Sequence, residues 1–379
     1  MTDPKLYTFA WALGAIVFIL ISSYGLGSVA RFAARLSGKN SAVQSRTFAG
    51  YFFSAPWVIG FLIFVVGPAI ASLYWSFTRY RIGEPIVWVG LDNYLRLITE
   101  DERFRISLLN SAYMTLLGLP LQAAAALGLA MLLNRALPGE RFFRVIFYLP
   151  VILAGSTATL AAWRLMLNPS SGLINTVLEA VRVVPFIDWL TRAWIYLIEI
   201  SSAAFISLQR WNPAALNQVL EAGFPAAERV PLWTQSPLWS KPSIILILIW
   251  SSGSMMVIYL AALKAIPQRI YEAAAVDGVN GWQRFRHITL PLITPSTFYN
   301  LIIGVIATLQ IFEQSYVLTA NGGPEESTYF VAYYLWRSTF RFNQIGYGAA
   351  MSWVLLIIIL ILTGIQFWLA KRWVTYDLD

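Results

Sequence analysis

The stretch Leu263 to Leu292, LKAIPQRIYEAAAVDGVNGWQRFRHITLPL, is polar and loop-sized, yet an apolar run of membrane length lies on each side of it. Pro267 suits the first turn of a helix, where its missing N–H would have no partner. Gln268 to Val276 are good helix formers, and helical spacing puts Ile270, Ala273 and Ala274 on one face. Gly278 supplies the left-handed conformation that ends such a helix cheaply. Asn280 followed by Gln283 reads as a capping box opening a second helix. That helix presents Trp282 and Phe285 on one side, Arg284 and His287 on another, and is expected to stop before Pro291. The predicted element is a compact helix-turn-helix peg held between two membrane spans, its alanines small enough for close approach to a partner groove.

The flanking composition agrees with lipid as the solvent. The chain is 58% hydrophobic, has a positive mean hydropathy, and only 12% of its residues are charged. One soluble core could not hide that much apolar surface at this length. The absence of cysteine excludes structural disulfides and thiolate metal sites, and the single histidine, His287, excludes a multi-histidine metal centre. No cofactor is expected.

EAAAVDG, nine residues, then I-x-L-P resembles the cytoplasmic loop of permease subunits in bacterial ABC importers. The longer string YLAALKAIPQRIYEAAAVDGVNGWQRFRHITLPLITP resembles the carbohydrate-importing branch, the maltose and glycerol-phosphate permeases among them. The resemblance implies an all-α integral membrane protein with a six-span permease core. It also implies that residues 264–292 dock into an ATPase subunit, with Tyr271, Glu272, Ala273, Ala274, Asp277, Gly278, Arg284, Phe285 and Pro291 forming that coupling loop. The partners it implies are a second permease subunit, two ABC ATPase subunits, an external solute-binding protein and a carbohydrate substrate.

In chain order the first apolar run is Phe9 to Ala30. Arg31, Arg35, Lys39 and Arg46 follow it while only Lys5 precedes it, which reads as an uncleaved span with its N-terminus outside rather than a signal peptide. The next runs are Tyr51 to Tyr74, Ser107 to Leu133, Phe142 to Leu167, Pro242 to Leu263, Ser296 to Leu318 and Ala349 to Ala370, each long enough to cross a bilayer. About seven spans result, six of permease type plus one extra at the N-terminus. The domain organisation follows: 1–48 as an added helix with a basic linker, and 49–379 as the permease domain. SAPWVIGFLIFVVGPAIASLYWSFTRY, RFFRVIFYLPVILAGSTATLAAWRLMLNPSSGLIN and the NGGPEEST turn at Asn321 to Thr328 also resemble sugar permeases. Residues 168–242 depart from the usual family length. Ala193 to Ser207 is too short to span, and is expected to form an interfacial or packed helix in an external insertion.

Charge supports this topology. Arg31, Arg35, Lys39, Arg46, Arg135, Arg141, Arg144, Lys264, Arg269, Arg284, Arg286, Lys371 and Arg372 fall in the loops assigned to the cytoplasm. Against them stand Glu140, Glu272, Asp277, Asp377 and Asp379. The positive-inside rule then predicts a cytoplasmic C-terminus, and the resemblance implies a multi-pass protein of the bacterial plasma membrane. The net charge of +8 is thereby accounted for without nucleic acid, and the 16 tryptophans fit anchoring at the lipid interface.

No phosphate-binding glycine loop with a following Lys-Ser/Thr is present, so the chain is not expected to hydrolyse ATP or to be an enzyme, and the resemblance implies that separate subunits hydrolyse the ATP. Polar residues inside the apolar runs mark a candidate solute pathway: Trp250 on the fifth span, and Asn300, Gln310, Glu313 and Gln314 on the sixth. Amides both donate and accept, as sugar hydroxyls do, and a tryptophan face can stack on a sugar ring. A helical sixth span would put Gln310 and Gln314 one turn apart with Asn300 near the same face. The family often has aspartate where this chain has Glu313 after Phe312. The alternatives are glycerol phosphate or another polyol as substrate, or a proton-coupled secondary transporter using Glu313 as its proton carrier.

Overall fold

The computed structural model describes residues 4–135, 139–154, 156–224 and 230–375. Asp377 and Asp379, counted above among the cytoplasmic charges, lie outside them. Packing divides the chain into two units, Met1–Thr78 and Arg79–Asp379.

The first unit is a pair of helices, α1 (Pro4–Leu36) and α2 (Ser41–Ser76). Gly38, at φ +68°, makes the turn between them, and Asn40 caps α2 by accepting the Val43 N–H at 2.9 Å. Gly27 leaves room for the Phe48 ring, on which Tyr24 packs edge-on at 5.6 Å. Helix α1 packs along α2 within this unit.

The second unit begins with a short ribbon, β1 (Thr78–Arg79) and β2 (Val87–Trp88), the only strands among the described residues. Helix α3 (Asp92–Thr99) follows, then the long α4 (Glu102–Leu133). Next come α5 (Glu140–Ala154), α6 (Thr157–Met166), α7 (Leu173–Val181), α8 (Pro185–Arg210) and α9 (Ala214–Ala222). After them lie α10 (Pro237–Trp250), α11 (Gly253–Ala265), α12 (Gln268–Val276), α13 (Gly281–Leu292) and α14 (Thr294–Leu309). The chain closes with α15 (Val331–Trp336) and α16 (Ile345–Ala370).

Seven spans are accommodated, as the apolar runs predict. Helices α2, α4 and α16 and the Ile16–Leu36 part of α1 are each long and apolar enough to cross alone. The others are bent. The fourth expected span is α5 and α6, meeting at 104°, and the fifth is α10 and α11, meeting at 45° across Ser251 and Ser252. The sixth is α14, which turns 65° away from α13. These breaks were not expected, because an apolar run reports burial in lipid and not straightness. One core cluster gathers α4, α11, α14 and α16 around Met256, Tyr259, Leu309 and Met351. A second gathers α6, α8 and α10 around Leu160, Ile195, Trp239 and Ile244.

A recurring device lets three helices carry proline. Wide π turns at Leu62–Val66, Met114–Gly118 and Phe285–Thr289 each end two residues before a proline: Pro68, Pro120 and Pro291. A proline ring collides with the carbonyl four residues back, and widening the turn moves that carbonyl aside. The N–H before each proline reaches back five residues: Gly67 to Leu62, Leu119 to Met114, Leu290 to Phe285. The expectation that the second helix of the peg stops before Pro291 is corrected for this reason, since α13 runs on to Leu292.

In the insertion, the helix expected at Ala193 to Ser207 is the 26-residue α8. Its polar first turns are stabilised by partners a local reading does not reveal. Asp188 is bound by Arg182 at 2.7 Å and Arg192 at 2.9 Å, and the hydrogen bond from Arg182 holds its carboxyl below the usual range. Glu199, buried, accepts from Trp239 Nε1 at 3.1 Å, and Trp233 Nε1 donates to Asn175 at 2.7 Å.

Candidate functional site

The polar peg forms as two helices with a tight turn. Helix α12 ends in a Schellman arrangement, Val279 N–H to Ala274 O at 3.0 Å and Gly278 N–H to Ala275 O at 3.2 Å, with Gly278 at φ +72°. Helix α13 opens with the full capping box: Gln283 N–H donates to Asn280 Oδ1 at 2.9 Å, and Asn280 N–H to Gln283 Oε1 at 3.0 Å. Tyr271 ties the two together. Its hydroxyl lies 3.1 Å from Thr289 Oγ1, and the Arg284 guanidinium sits 5.6 Å over its ring. A cavity of about 420 Å³ lies between this pair and the end of α4, lined by Met131, Asn134 and Arg135 on one side and by Tyr271, Arg284 and Phe285 on the other.

Ala274 and the half-buried Ile270 face the protein, whereas Ala273 is exposed. The expectation that all three share a face is corrected, because the helix rotates Ala273 outward with Glu272, Val276 and Asp277. Val276 is 89% exposed and Trp282 66% exposed, so the tip of the peg carries apolar surface that nothing among the described residues covers. Glu272 is held upright by Gln268 Nε2 at 2.8 Å.

The second candidate region is a cleft of about 470 Å³ between α4, α10, α11 and α14. Gln310, Glu313 and Gln314 line it, joined by Gln122, Ser254 and Thr308. Among the described residues Glu313 makes no ion pair. Gln310 and Gln314 are not one turn apart on a continuous helix. Helix α14 ends at Leu309, and the chain re-enters helix only as a π turn at Gln314–Leu318. Phe312 holds the break open, stacked 5.7 Å from Tyr316 and packed 5.6 Å from Trp336. The break, not a shared face, brings the two amides to the cleft.

Asn300 and Trp250 are elsewhere. Asn300 is 2% exposed and its amide donates to the Met255 carbonyl at 3.4 Å, tying α14 to α11. Trp250 packs edge-on against Trp163 at 5.4 Å in the second core cluster. Sequence reading missed Gln122, whose signal was available as a lone amide inside an alanine- and leucine-rich span.

The geometry is that of a polar cleft in a helical membrane bundle with an exposed peg projecting from it. The family described as binding-protein-dependent transport system inner membrane component matches residues 108–375. The chain belongs to this family. A probable ABC transporter permease protein of Bacillus subtilis, YesP, is 35% identical over 340 residues, covering 89% of this chain and 96% of that one. The arabinooligosaccharides transport system permease protein AraP of the same organism is 30% identical over 338 residues, 88% of this chain and 92% of its own. The crystal structure of a bacterial alginate ABC transporter with its alginate-bound periplasmic protein contains a chain of the same fold. It superposes with a TM-score of 0.63 at 23% identity over 86% of this permease and 96% of that chain. The permease is thus an inner-membrane ABC importer subunit whose matched region includes both the peg and the cleft.

Proposed function

We propose that this permease carries a sugar or oligosaccharide across the bacterial plasma membrane in an ATP-driven importer fed by an external solute-binding protein. It pairs with a second permease subunit and with two ATPase subunits that hydrolyse the ATP. The observation that carries the reading is the amide-lined cleft, with Glu313 beside the amides, inside a bundle of importer-permease fold. Gln122, Gln310 and Gln314 offer donors and acceptors together, as hydroxyl-rich solutes require, and desolvated amides need such partners. Relatives named for arabinooligosaccharides, lactose and diacetylchitobiose support the substrate class. A phosphorylated polyol has less support, because no basic side chain lines the cleft. Membership of an ABC permease family argues against a proton-coupled secondary transporter built on Glu313.

The double variant Gln310→Ala, Gln314→Ala is expected to lower uptake of labelled oligosaccharide by about tenfold or more, each lost hydrogen bond contributing about 1 kcal/mol. ATPase activity stimulated by the binding protein should be retained, and unchanged uptake would remove the amides from the path. Orientation is tested separately with the chain's natural lack of cysteine. Cysteines placed at the exposed Ser41 and Asn280 should be shielded from an impermeant reagent in intact cells, and those at Gln235 and Glu221 labelled. Labelling at Asn280 would put the peg outside and overturn the proposal.

A further inference from the structure

A small basic pocket sits beside the start of α16, away from both the peg and the cleft. Its volume is about 130 Å³, and its walls include Arg79, Arg81 and Arg96, with Asp92, Asn93 and Gln344. Three guanidiniums therefore face one carboxylate. Arg79 and Arg96 make no ion pair among the described residues, and the Arg81 contact to Glu84 is a loose, exposed one at 3.7 Å. The arginines therefore outnumber the nearby carboxylates, Asp92 and Glu84, and leave the pocket net positive.

The pocket is also built, not a chance meeting of mobile side chains. Asn343 clamps Ile82 by two bonds, accepting its N–H at 3.1 Å and donating to its carbonyl at 3.0 Å, while Gly346 N–H donates to Tyr80 O at 3.2 Å. These fix the segment that bears Arg81 to the first turn of α16. The Arg96 guanidinium sits over the Tyr347 ring, 4.6 Å from its centroid, which holds the third guanidinium in place.

Around the pocket the surface is apolar. Helix α3 buries only Leu97 and leaves Leu91, Leu95 and Ile98 exposed; Ile82 and Trp88 of the ribbon region are exposed as well, Ile98 at 76%. An amphipathic helix with arginine above and bare aliphatic side chains below is the pattern of an element lying in the membrane interface. The pocket lies beside the first turn of the spanning helix α16. A phosphate fits so small a volume, and a saccharide chain does not. One molecule satisfies both the charge and the apolar rim.

We propose that Arg79, Arg81 and Arg96 bind the phosphodiester of an anionic phospholipid at the membrane surface from which α16 departs. The guanidiniums take the phosphate oxygens through paired N–H donors, and the acyl chains cover Leu91, Leu95 and Ile98.

The test uses the complete importer in nanodiscs of phosphatidylglycerol with phosphatidylcholine, or of phosphatidylcholine alone. Native mass spectrometry during progressive delipidation counts the retained lipids. Wild type should hold phosphatidylglycerol roughly 30-fold more tightly than the Arg79→Gln, Arg96→Gln double variant, from two lost cation contacts at the membrane surface. Retention of phosphatidylcholine should not differ. Arg79→Lys, Arg96→Lys should recover most of the retention, which a merely misfolded loop would not. Equal phosphatidylglycerol retention in wild type and the glutamine variant would overturn the proposal. Displacement of the lipid by millimolar inorganic phosphate would show a free-anion site and overturn the lipid assignment. Unchanged lipid retention with weakened capture of the solute-binding protein would assign the arginines to protein docking and do the same.

Discussion

Gly278→Asp is expected to all but abolish ATP-driven uptake while leaving the permease inserted in the membrane. A Cβ at Gly278 meets no atom within 4 Å, so the variant has no internal clash to suffer. Its backbone, at φ +72°, asks an L-residue to adopt a left-handed conformation at a cost of about 1 kcal/mol, and aspartate tolerates this better than most. The new carboxylate instead projects from the tip of the peg, where Val276 and Trp282 leave apolar surface for another subunit to cover. An unpaired charge buried in such a contact costs about 2–5 kcal/mol, which corresponds to a loss of coupling of roughly 30- to 1000-fold. Glu272→Lys reverses a charge on the same face and should act in the same direction. Uptake into vesicles, measured beside membrane content of the complex, checks both. Wild-type rates in both variants would mean that the peg is not the coupling element.

Asp101→Ala should be the most destabilising single change outside the spans. One carboxylate there serves three elements. Its Oδ1 caps α4 by accepting the Phe104 N–H at 3.0 Å; its Oδ2 accepts from the Tyr334 hydroxyl of α15 at 2.6 Å and from the Tyr347 hydroxyl of α16. Both tyrosines are at most 7% exposed, so removing the acceptor leaves two buried donors unsatisfied as well as losing a cap. Burial first, and the Asp101 carboxylate second, push the Tyr334 pKa upward, so its hydroxyl remains a donor throughout the physiological range. The expected loss is about 3–5 kcal/mol, seen as a large fall in the thermal unfolding temperature of the purified complex. Asp101→Asn keeps the oxygen that serves the cap and should cost less. A melting temperature within a degree of wild type for Asp101→Ala would refute this account of how the three elements are held.

Local chemistry made the peg legible. Gly278 and the Asn280–Gln283 pair act through bonds a few residues long, and the structure repeats those bonds as read, whereas Pro291 did not end its helix. The number and order of spans were legible for a similar reason, since lipid imposes length and apolarity on each segment independently. What failed was everything decided by long-range contact. Gln310 and Gln314 were placed on one helical face, and the aromatic packing of Phe312 breaks that helix between them. Trp250 and Asn300 looked available in the sequence because nothing local shows Trp163 or the Met255 carbonyl waiting for them. Asp101 was invisible as a keystone, its two tyrosines being more than two hundred residues away. The length of α8 escaped notice because its first turns, with Asp188, lie outside the apolar stretch, and the partners of Asp188, Arg182 and Arg192, are not read from an apolar pattern.

The wide turns before Pro68, Pro120 and Pro291 have a bearing on how such chains can be compared and redesigned. Each holds one residue more than an α-helix of the same rise, the local equivalent of a one-residue insertion. An alignment that forbids gaps inside apolar spans will set every residue beyond the turn about 100° out of phase with a relative lacking it. Lipid-facing and protein-facing positions would then be exchanged in pairwise comparison although the two helices superpose. Removal of one residue from Met114–Gly118 together with Pro120→Ala should therefore be accepted as a matched pair, where either change alone would not.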